Sequence, residues 1–178
     1  MESIIPSQKG VTIVELLVAI ALLSILLAIT VSFYPSVMRI WNSGQDTYNL
    51  RGELSQARDL MNNYLVKAST FTIINPGRII FTANVDPTTP GAESCIFYLY
   101  NPSDAGWPST YPFASYELRF MTYNGVPVFG SGRSLCYGIN PPPSTNFSGV
   151  GNQIIVTLDE TKNTQNLALR FEIHPRNL

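Results

Sequence analysis

A long uncharged run near the amino terminus constrains this chain more than any other feature. Between Glu15 and Arg39 there is no charged residue, so residues 16–38 form a run of 23 uncharged, mostly apolar positions. About 20 such residues are enough to cross a bilayer as a helix. Glu15 stands at the start of the run, and an ionisable side chain in lipid costs roughly 2.5 to 3.5 kcal/mol unless it has a partner. The run therefore predicts a membrane-spanning helix whose one carboxylate needs a partner.

Two ordinary explanations of such a run are a cleaved secretory signal and a plain membrane anchor. A secretory signal has an apolar stretch of about 7 to 15 residues followed by a small-residue cleavage site. Here the stretch is longer, and Lys9 is the single basic residue before it. A plain anchor fits the length but does not need Glu15. A glutamate that snorkels at the membrane edge remains the alternative to a functional carboxylate.

The residues around this carboxylate resemble the class III signal of type IV pilins and type II secretion pseudopilins. The similar segment begins at Gly10 and reads GVTIVELLVAIALLSILL. In that family prepilin peptidase cuts after the glycine and N-methylates the new amino terminus, and the apolar helix is kept. The resemblance implies cleavage after Gly10 and methylation of Val11. The family usually has Phe where this chain has Val11, a departure that disfavours a major pilin.

Cleavage at this position would place a charge next to Glu15. The free Val11 amine would be largely protonated at neutral pH. An ammonium and a carboxylate in an apolar helix bundle each lose hydration, and pairing removes much of that penalty. Glu15 could pair with its own amine or with that of a neighbouring subunit. The family resemblance implies the second, with the pair setting axial register during filament assembly.

The chain is predicted to divide into a leader at residues 1–10, a membrane and filament-core helix at 11–38, an amphipathic helical half at 39–70 and a sheet domain at 71–178. Pro35 lies inside the helix and should kink it or loosen the preceding turn. Apolar residues recur at spacings of three and four in the second half, which predicts one face packed on a sheet. These residues are Leu50, Leu54, Ala57, Met61, Tyr64, Leu65 and Ala68.

After the helix, short apolar segments alternate with turn signals. The predicted strands are Phe71–Ile74, Arg78–Ala83, Ser94–Tyr100, Tyr116–Tyr123, Val126–Phe129, Gln153–Leu158 and Ala168–His174. Residues 86–93 and 138–151 are predicted to be irregular, and the last two strands to form a hairpin. A long helix packed on an antiparallel sheet is an α+β architecture, which the pilin resemblance also implies. Tyr98 and Tyr100 share one sheet face, consistent with packing under the helix.

Cys95 and Cys136 are the two cysteines. If the apolar run spans the inner membrane with its amino end inside, both lie outside the cytoplasm, where disulfides persist. A disulfide between them is one prediction, and two separate buried thiols are the alternative, since sequence does not reveal their geometry.

Composition argues against several other classes of function. Eleven basic and twelve acidic residues leave a net charge of −1, which provides no electrostatic surface for nucleic acid. No nucleophile–base pair is evident, and His174 is the single histidine, so we predict a non-enzyme with no cofactor and no metal site. Asp86, Glu93 and Asp104 lie in predicted loops and could bind calcium, but their spacing matches no defined calcium loop, which favours solvated loop acids.

The resemblance implies a structural subunit, most simply a minor pilin, processed by prepilin peptidase. Its other partners would be pilin or pseudopilin subunits bound through the helix, the inner membrane and the assembly platform. It would start as a single-pass inner-membrane protein with its domain outside the cytoplasm, and end in a filament at the cell surface or in the periplasm. The carboxy terminus is similar to minor pilins of the PilW type and J-type pseudopilins. The alternatives are a pseudopilin of a type II secretion or DNA-uptake system, a filament-tip binding or adhesion module, and a membrane-anchored enzyme.

Overall fold

The described part of the chain consists of one long helix followed by eight β-strands. A computed structural model describes residues 11–84 and 91–176. Helix α1 spans Ile13–Leu65. The strands are β1 (Ala68–Asn75), β2 (Arg78–Ala83), β3 (Glu93–Tyr100), β4 (Tyr116–Tyr123), β5 (Arg133–Ile139), β6 (Asn146–Val150), β7 (Gln153–Lys162) and β8 (Gln165–Ile173). The helix packs against a curled antiparallel sheet, which confirms the predicted α+β architecture.

Helix α1 is continuous through Pro35, so the proline does not end it. The kink at this position stays a prediction. The helix ends at Leu65 rather than near Ala68, because a run rich in Ser, Thr and Phe follows and favours a strand. The amide of Lys67 donates to the Tyr64 carbonyl at 3.1 Å and closes the last turn. Packing divides the chain into two units, and the boundary falls within this helix, between Asn42 and Ser43.

The second half of α1 buries one face, as its sequence predicts. Leu50, Leu54, Ala57, Met61 and Leu65 are each at most 1% exposed. Their spacing of three and four residues places them on one side of the helix. Burying a large apolar side chain contributes roughly 1.5 to 3 kcal/mol. This stripe therefore anchors the helical half on the sheet.

The sheet is antiparallel throughout, with the order β1-β2-β3-β4-β5-β7-β6, and β8 also pairs with β7. Strand β6 lies near β1, and the Phe147 amide donates to the Pro76 carbonyl at 2.8 Å. The sheet thus curls until its two ends meet beside the β1–β2 turn.

An aromatic group fills the space between the helix and the sheet. Tyr64 of α1 stacks on Phe120 of β4 with ring centroids 4.5 Å apart. Phe97 of β3 lies 4.9 Å from Phe120 and 5.4 Å from Phe81 of β2. These rings lie in the main core, together with both cysteines. The helix is therefore held across β2, β3 and β4 by contacts that join three strands.

A second apolar cluster lies on the opposite face of the sheet. Tyr98 is fully buried there, packed against Trp107 at 4.9 Å and Phe129 at 5.9 Å, and Tyr100 is partly buried beside Phe129. Neighbouring residues in a strand point to opposite faces, and Phe97 already faces the helix. The expectation that Tyr98 and Tyr100 pack under the helix was therefore wrong. They pack under the connecting segments 101–115 and 124–132 instead.

Several predicted strands need correction. Val126–Phe129 is not a strand, because Pro127 has no amide to donate and the flanking Gly125 and Gly130 have φ angles of 91° and 84°. Strands β5 and β6 were not predicted, and β6 replaces part of the irregular segment expected at 138–151. Of the other irregular segment, residues 86–90 lie outside the described residues, and Glu93 begins β3.

The predicted final hairpin is confirmed, and its strands are longer than expected. Strand β7 continues to Lys162 and β8 starts at Gln165, which leaves a turn of Asn163 and Thr164. Asn163 has a φ of 55°, a conformation that asparagine tolerates better than most residues. This hairpin carries polar side chains that reach helix α1.

Candidate functional site

Helix α1 begins with a reciprocal hydrogen-bonding arrangement between Thr12 and Glu15. The Glu15 amide donates to Thr12 Oγ1 at 3.2 Å, and the Thr12 amide donates to Glu15 Oε2 at 2.9 Å. Thr12 Oγ1 also donates to Glu15 Oε2 at 3.0 Å. The Thr12 carbonyl accepts the first helical bond, from the Leu16 amide at 3.1 Å. Thr12 is therefore the N-cap of α1, and the pair forms a capping box.

The capping box assigns Glu15 a structural partner that the sequence reasoning missed. A carboxylate at this position also interacts favourably with the positive end of the helix dipole. The signal was present as a threonine followed three residues later by a glutamate, directly before an apolar run. The Thr12 amide and hydroxyl both donate to the Oε2 atom of Glu15. Its Oε1 atom therefore lies at the helix start as a second acceptor.

The apolar surface of the first half of α1 is exposed on every side. Residues 11–42 are all exposed, including large side chains such as Ile13 at 78% and Leu22 at 58%. Among the described residues, one helix is long and apolar enough to cross a membrane, with a mean hydropathy of 2.8 in its most apolar window. A helix that is apolar all round is a membrane span or the core of a larger assembly.

The few polar side chains within this surface are satisfied by the helix itself. Ser24, Thr30 and Ser32 each donate a hydroxyl hydrogen to the carbonyl four residues earlier, at 2.8 Å. In a hydrocarbon environment every polar group must find such a partner, because no water is present. The helix can therefore be surrounded by lipid or by other helices without leaving these hydroxyl groups unbonded.

Residues 5–31 match a family model described as the prokaryotic N-terminal methylation motif. The matched range contains Gly10, Val11 and Glu15, and it ends within the first half of α1. The motif supports a relationship to type IV pilins and pseudopilins and a precursor of the kind that prepilin peptidase processes. It covers 27 residues, so the sheet domain lies outside it. Comparison with curated proteins and with solved structures gives no match.

The methylation motif extends on both sides of the helix start. Gly10 and the rest of the predicted leader at residues 1–10 lie outside the described residues. Val11 is exposed and immediately precedes the N-cap. Cleavage after Gly10 and methylation of Val11 stay predictions that rest on the sequence and its motif.

The far end of the apolar run has the residues of a membrane–water boundary. Tyr34 and Trp41 are 65% and 69% exposed, and Arg39 lies between them in the chain. Tyrosine and tryptophan concentrate at such boundaries, where an apolar ring and a polar atom are both accommodated. The charge of Arg39 ends the uncharged run in the sequence, and the flanking aromatic residues are typical of the same kind of boundary.

Both cysteines are free and buried. Cys95 of β3 is opposite Thr122 of β4, whereas Cys136 of β5 is opposite Leu118 of the same strand. A full strand thus separates them, which places their Cα atoms at least about 10 Å apart, beyond the range of about 4.4 to 6.8 Å for a disulfide. The structure therefore contains two separate buried thiols in place of the predicted bond. Burial raises the pKa of Cys95 to about 12, and burial likewise raises the pKa of Cys136.

The acids considered as calcium ligands are not brought together in the described residues. Glu93 begins β3, Asp104 lies in the segment after that strand, and Asp86 is outside the described residues. Within the described ranges, no group of three or more His, Cys, Asp or Glu side chains is arranged to hold a metal ion. His174 is exposed just beyond the end of β8.

Proposed function

We propose that this chain is a pilin-like structural subunit of a type IV pilus or a related filament. In this proposal prepilin peptidase cuts after Gly10, and Val11 becomes the methylated amino terminus. Helix α1 holds the subunit in the inner membrane, with the sheet domain outside the cytoplasm, until the assembly platform transfers it into a filament. Other pilin or pseudopilin subunits then cover the apolar surface of α1.

One observation carries the proposal: the methylation motif coincides with an exposed apolar helix that starts at a capped glutamate. A plain anchor would need the apolar surface alone. An assembly subunit needs a surface that is compatible with lipid first and with neighbouring helices later. It also needs a charged group that sets the axial position of one subunit relative to the next.

Glu15 fits the second requirement. Thr12 holds its Oε2 atom, so the carboxylate is oriented before any partner arrives. The Oε1 atom can then accept a hydrogen bond from the Val11 ammonium group of a neighbouring subunit. Pairing the two charges removes most of the cost of burying each among apolar helices. A fixed carboxylate also lowers the entropy lost when that pair forms.

A minor subunit is the form of this proposal that the chain favours. Val11 replaces the usual Phe at the new amino terminus, and 13% charged residues is well below the usual share of about 25%. A pseudopilin of a secretion or DNA-uptake system remains the alternative. The abundance of the chain in sheared filaments, relative to the main subunit, would separate a minor from a major pilin.

The decisive experiment is the mass and amino-terminal sequence of the native protein in membranes and in sheared surface material. A methylated Val11 terminus in both fractions would support a subunit that leaves the membrane for a filament. A Met1 terminus found in membranes alone would overturn the proposal and leave α1 as an ordinary anchor.

Two variants test the parts of the motif separately. Gly10→Ala should be processed slowly and leave a precursor about ten residues longer, as expected if the peptidase requires the glycine. Glu15→Ala should insert into the membrane normally and be excluded from filaments in competition with wild type. Ser24→Ala is the matched control, because it removes a polar group of the same helix that bonds its own backbone. Equal incorporation of Glu15→Ala and Ser24→Ala would refute the register role.

A binding role at the filament tip is a second candidate, favoured by exposed apolar residues on one connecting segment. Val126 and Val128 are 85% and 66% exposed in the segment after β4. Replacing both by serine should leave assembly intact and weaken attachment of filaments to a surface or ligand. Unchanged attachment by filaments that carry the double variant would remove this candidate.

A further inference from the structure

The β7–β8 hairpin is attached to helix α1 by polar side chains next to its turn. Lys162 Nζ donates to Glu53 Oε1 at 3.0 Å, and Asn163 Nδ2 donates to Asp46 Oδ2 at 2.7 Å. Glu53 and Asp46 lie in the part of α1 just after Ser43. The hairpin therefore contacts the helix close to the point where the second packing unit begins.

A third carboxyl group lies behind this contact and is almost completely buried. Glu160 is 1% exposed and occupies the inward position of β7 that follows Ile154, Val156 and Leu158. It lies opposite Ile139 of β5 and Leu167 of β8 in the two strand registers. Its Oε2 atom is buried and forms no hydrogen bond with any described residue. An ionised carboxylate in this position would have lost its hydration without a replacement.

The charges around Glu160 do not balance if every acid is ionised. Glu53 and Asp46 face this region from α1, Lys162 from β7 and the Cys136 thiol from β5. The thiol stays neutral because burial raises its pKa. Lys162 supplies a positive charge, and Glu53 already receives it in an ion pair. Two carboxylates that share one site cannot both ionise cheaply, so one of them keeps a proton.

Glu160 is the group that keeps the proton. Burial, together with repulsion from Glu53, raises its pKa to about 8, although Lys162 acts in the opposite direction. Lys162 lies two residues further on the same face of β7 and binds Glu53 at 3.0 Å, so the Glu53 carboxylate is the neighbouring acceptor to which a protonated Glu160 can donate. In that state the buried acid is neutral.

We propose that the proton shared between Glu160 and Glu53 acts as a latch that joins the β7–β8 hairpin to helix α1 and makes this junction sensitive to pH. We call Glu53, Glu160 and Lys162 the proton latch. Loss of the proton would leave two carboxylates facing one ammonium group in a buried site, and the hairpin would separate from the helix. This inference is independent of the proposed filament function.

The direction of the pH dependence follows from the two states of Glu160. In the unfolded chain its pKa is near 4.5, and in the fold it is about 8. Its contribution to stability is complete below pH 4.5 and is lost as the pH rises to about 8. Within that window the folded state holds one more proton, so each pH unit should lower the folding equilibrium constant about tenfold through this group.

The test uses the full chain in detergent micelles. Carbon-13 NMR of labelled glutamate side chains should show one carboxyl group, assigned to Glu160, that titrates far above the others. Equilibrium unfolding between about pH 5.5 and pH 7.5 should then show the tenfold loss per unit in wild type and not in Glu160→Gln. Glu172→Gln is the control, because this exposed acid lies on the solvent face of β8.

Three results would overturn the latch. One is a Glu160 carboxyl that titrates with the other glutamates in wild type, a measurement that does not depend on any variant folding. Another is an equal pH dependence of unfolding in wild type and Glu160→Gln. Glu53→Gln provides a second check, since removing the neighbouring charge should move the Glu160 titration to lower pH. An unchanged titration in Glu53→Gln would also contradict the shared proton.

Discussion

Replacing Gly77 by alanine should destabilise the sheet domain through one side chain, Tyr111. Gly77 ends the turn between β1 and β2 and has a φ that does not require glycine. A β-carbon at this position would lie 2.2 Å from Tyr111 Oη and 2.5 Å from Tyr111 Cζ. These distances are far below van der Waals contact, so the tyrosine ring has to move.

The structure shows what the movement of Tyr111 would break. Its hydroxyl donates to Asn75 Oδ1 at 2.6 Å, a bond worth about 1 kcal/mol of net stability. Its ring meets Tyr116 edge to face at 5.3 Å, a contact worth roughly 0.5 to 1.5 kcal/mol. Losing both predicts that Gly77→Ala lowers the free energy of unfolding by about 2 kcal/mol.

The assay is urea unfolding of the full chain in micelles, followed by near-ultraviolet circular dichroism of the tyrosines. Gly106→Ala is the matched control, because a β-carbon there has no neighbour within 4 Å. Gly77→Ala should also be measured in a Tyr111→Ala background, where the obstacle is gone. There its cost should fall to within a few tenths of a kcal/mol, which gives a coupling energy of about 2 kcal/mol. A cost that persists without Tyr111, or no cost at all in wild type, would refute the steric argument.

Three further changes test other parts of the chain. Leu54→Ala removes a buried helix residue from the core and should cost about 2 to 5 kcal/mol in unfolding free energy, whereas the exposed Gln56→Ala should cost under 0.5 kcal/mol. Equal costs would mean that the helix is not packed on the sheet at this point. Cys95 and Cys136 should resist alkylation at about pH 8 in the folded protein, because burial raises their pKa values, while an exposed Ser103→Cys should react at once. Rapid labelling of the native thiols would contradict their burial. Because folding raises the Cys95 pKa from 9.0 to about 12, the stability contributed by the protonated thiol should be lost as the pH rises between those two values. Thr12→Val removes the N-cap hydroxyl and should cost about 1 kcal/mol at the helix start, seen as about fivefold faster hydrogen exchange of the Glu15 amide. Unchanged exchange would show that the capping box does not stabilise the helix start.

Local patterns predicted the elements whose residues interact mainly with their own neighbours. The helical stripe from Leu50 to Leu65, strand β2 and strand β4 could be assigned because spacing alone separates a buried from an exposed face. The final hairpin was predicted in the same way. Strands β5 and β6 were missed because Gly138 and Gly149 interrupt their apolar residues and because their place depends on pairing with β4 and β7. The segment 126–129 alternates like a strand, but Pro127 has no amide to contribute to a sheet.

The candidate site also combines features set by neighbouring residues with features set by distant ones. Gly10, Val11 and Glu15 lie close together in the sequence. Cleavage, methylation and a charge pair for assembly could therefore be predicted from the sequence alone. The Thr12 capping box is equally local and could have been recognised. The separation of Cys95 from Cys136 and the contact of Lys162 with Glu53 depend on which distant elements become neighbours. No spacing in the sequence encodes that.

The sequence by itself determined that one end of this protein is an apolar helix with a single carboxylate at its start. Lipid and neighbouring helices act on such a helix through composition and period, which are properties of the sequence. The tertiary structure alone decided the face on which Tyr98 packs, the isolation of the two thiols and the burial of Glu160. Those outcomes depend on the curl and strand order of the sheet and on how the helix packs against it, which bring together residues as distant in the chain as Glu53 and Lys162.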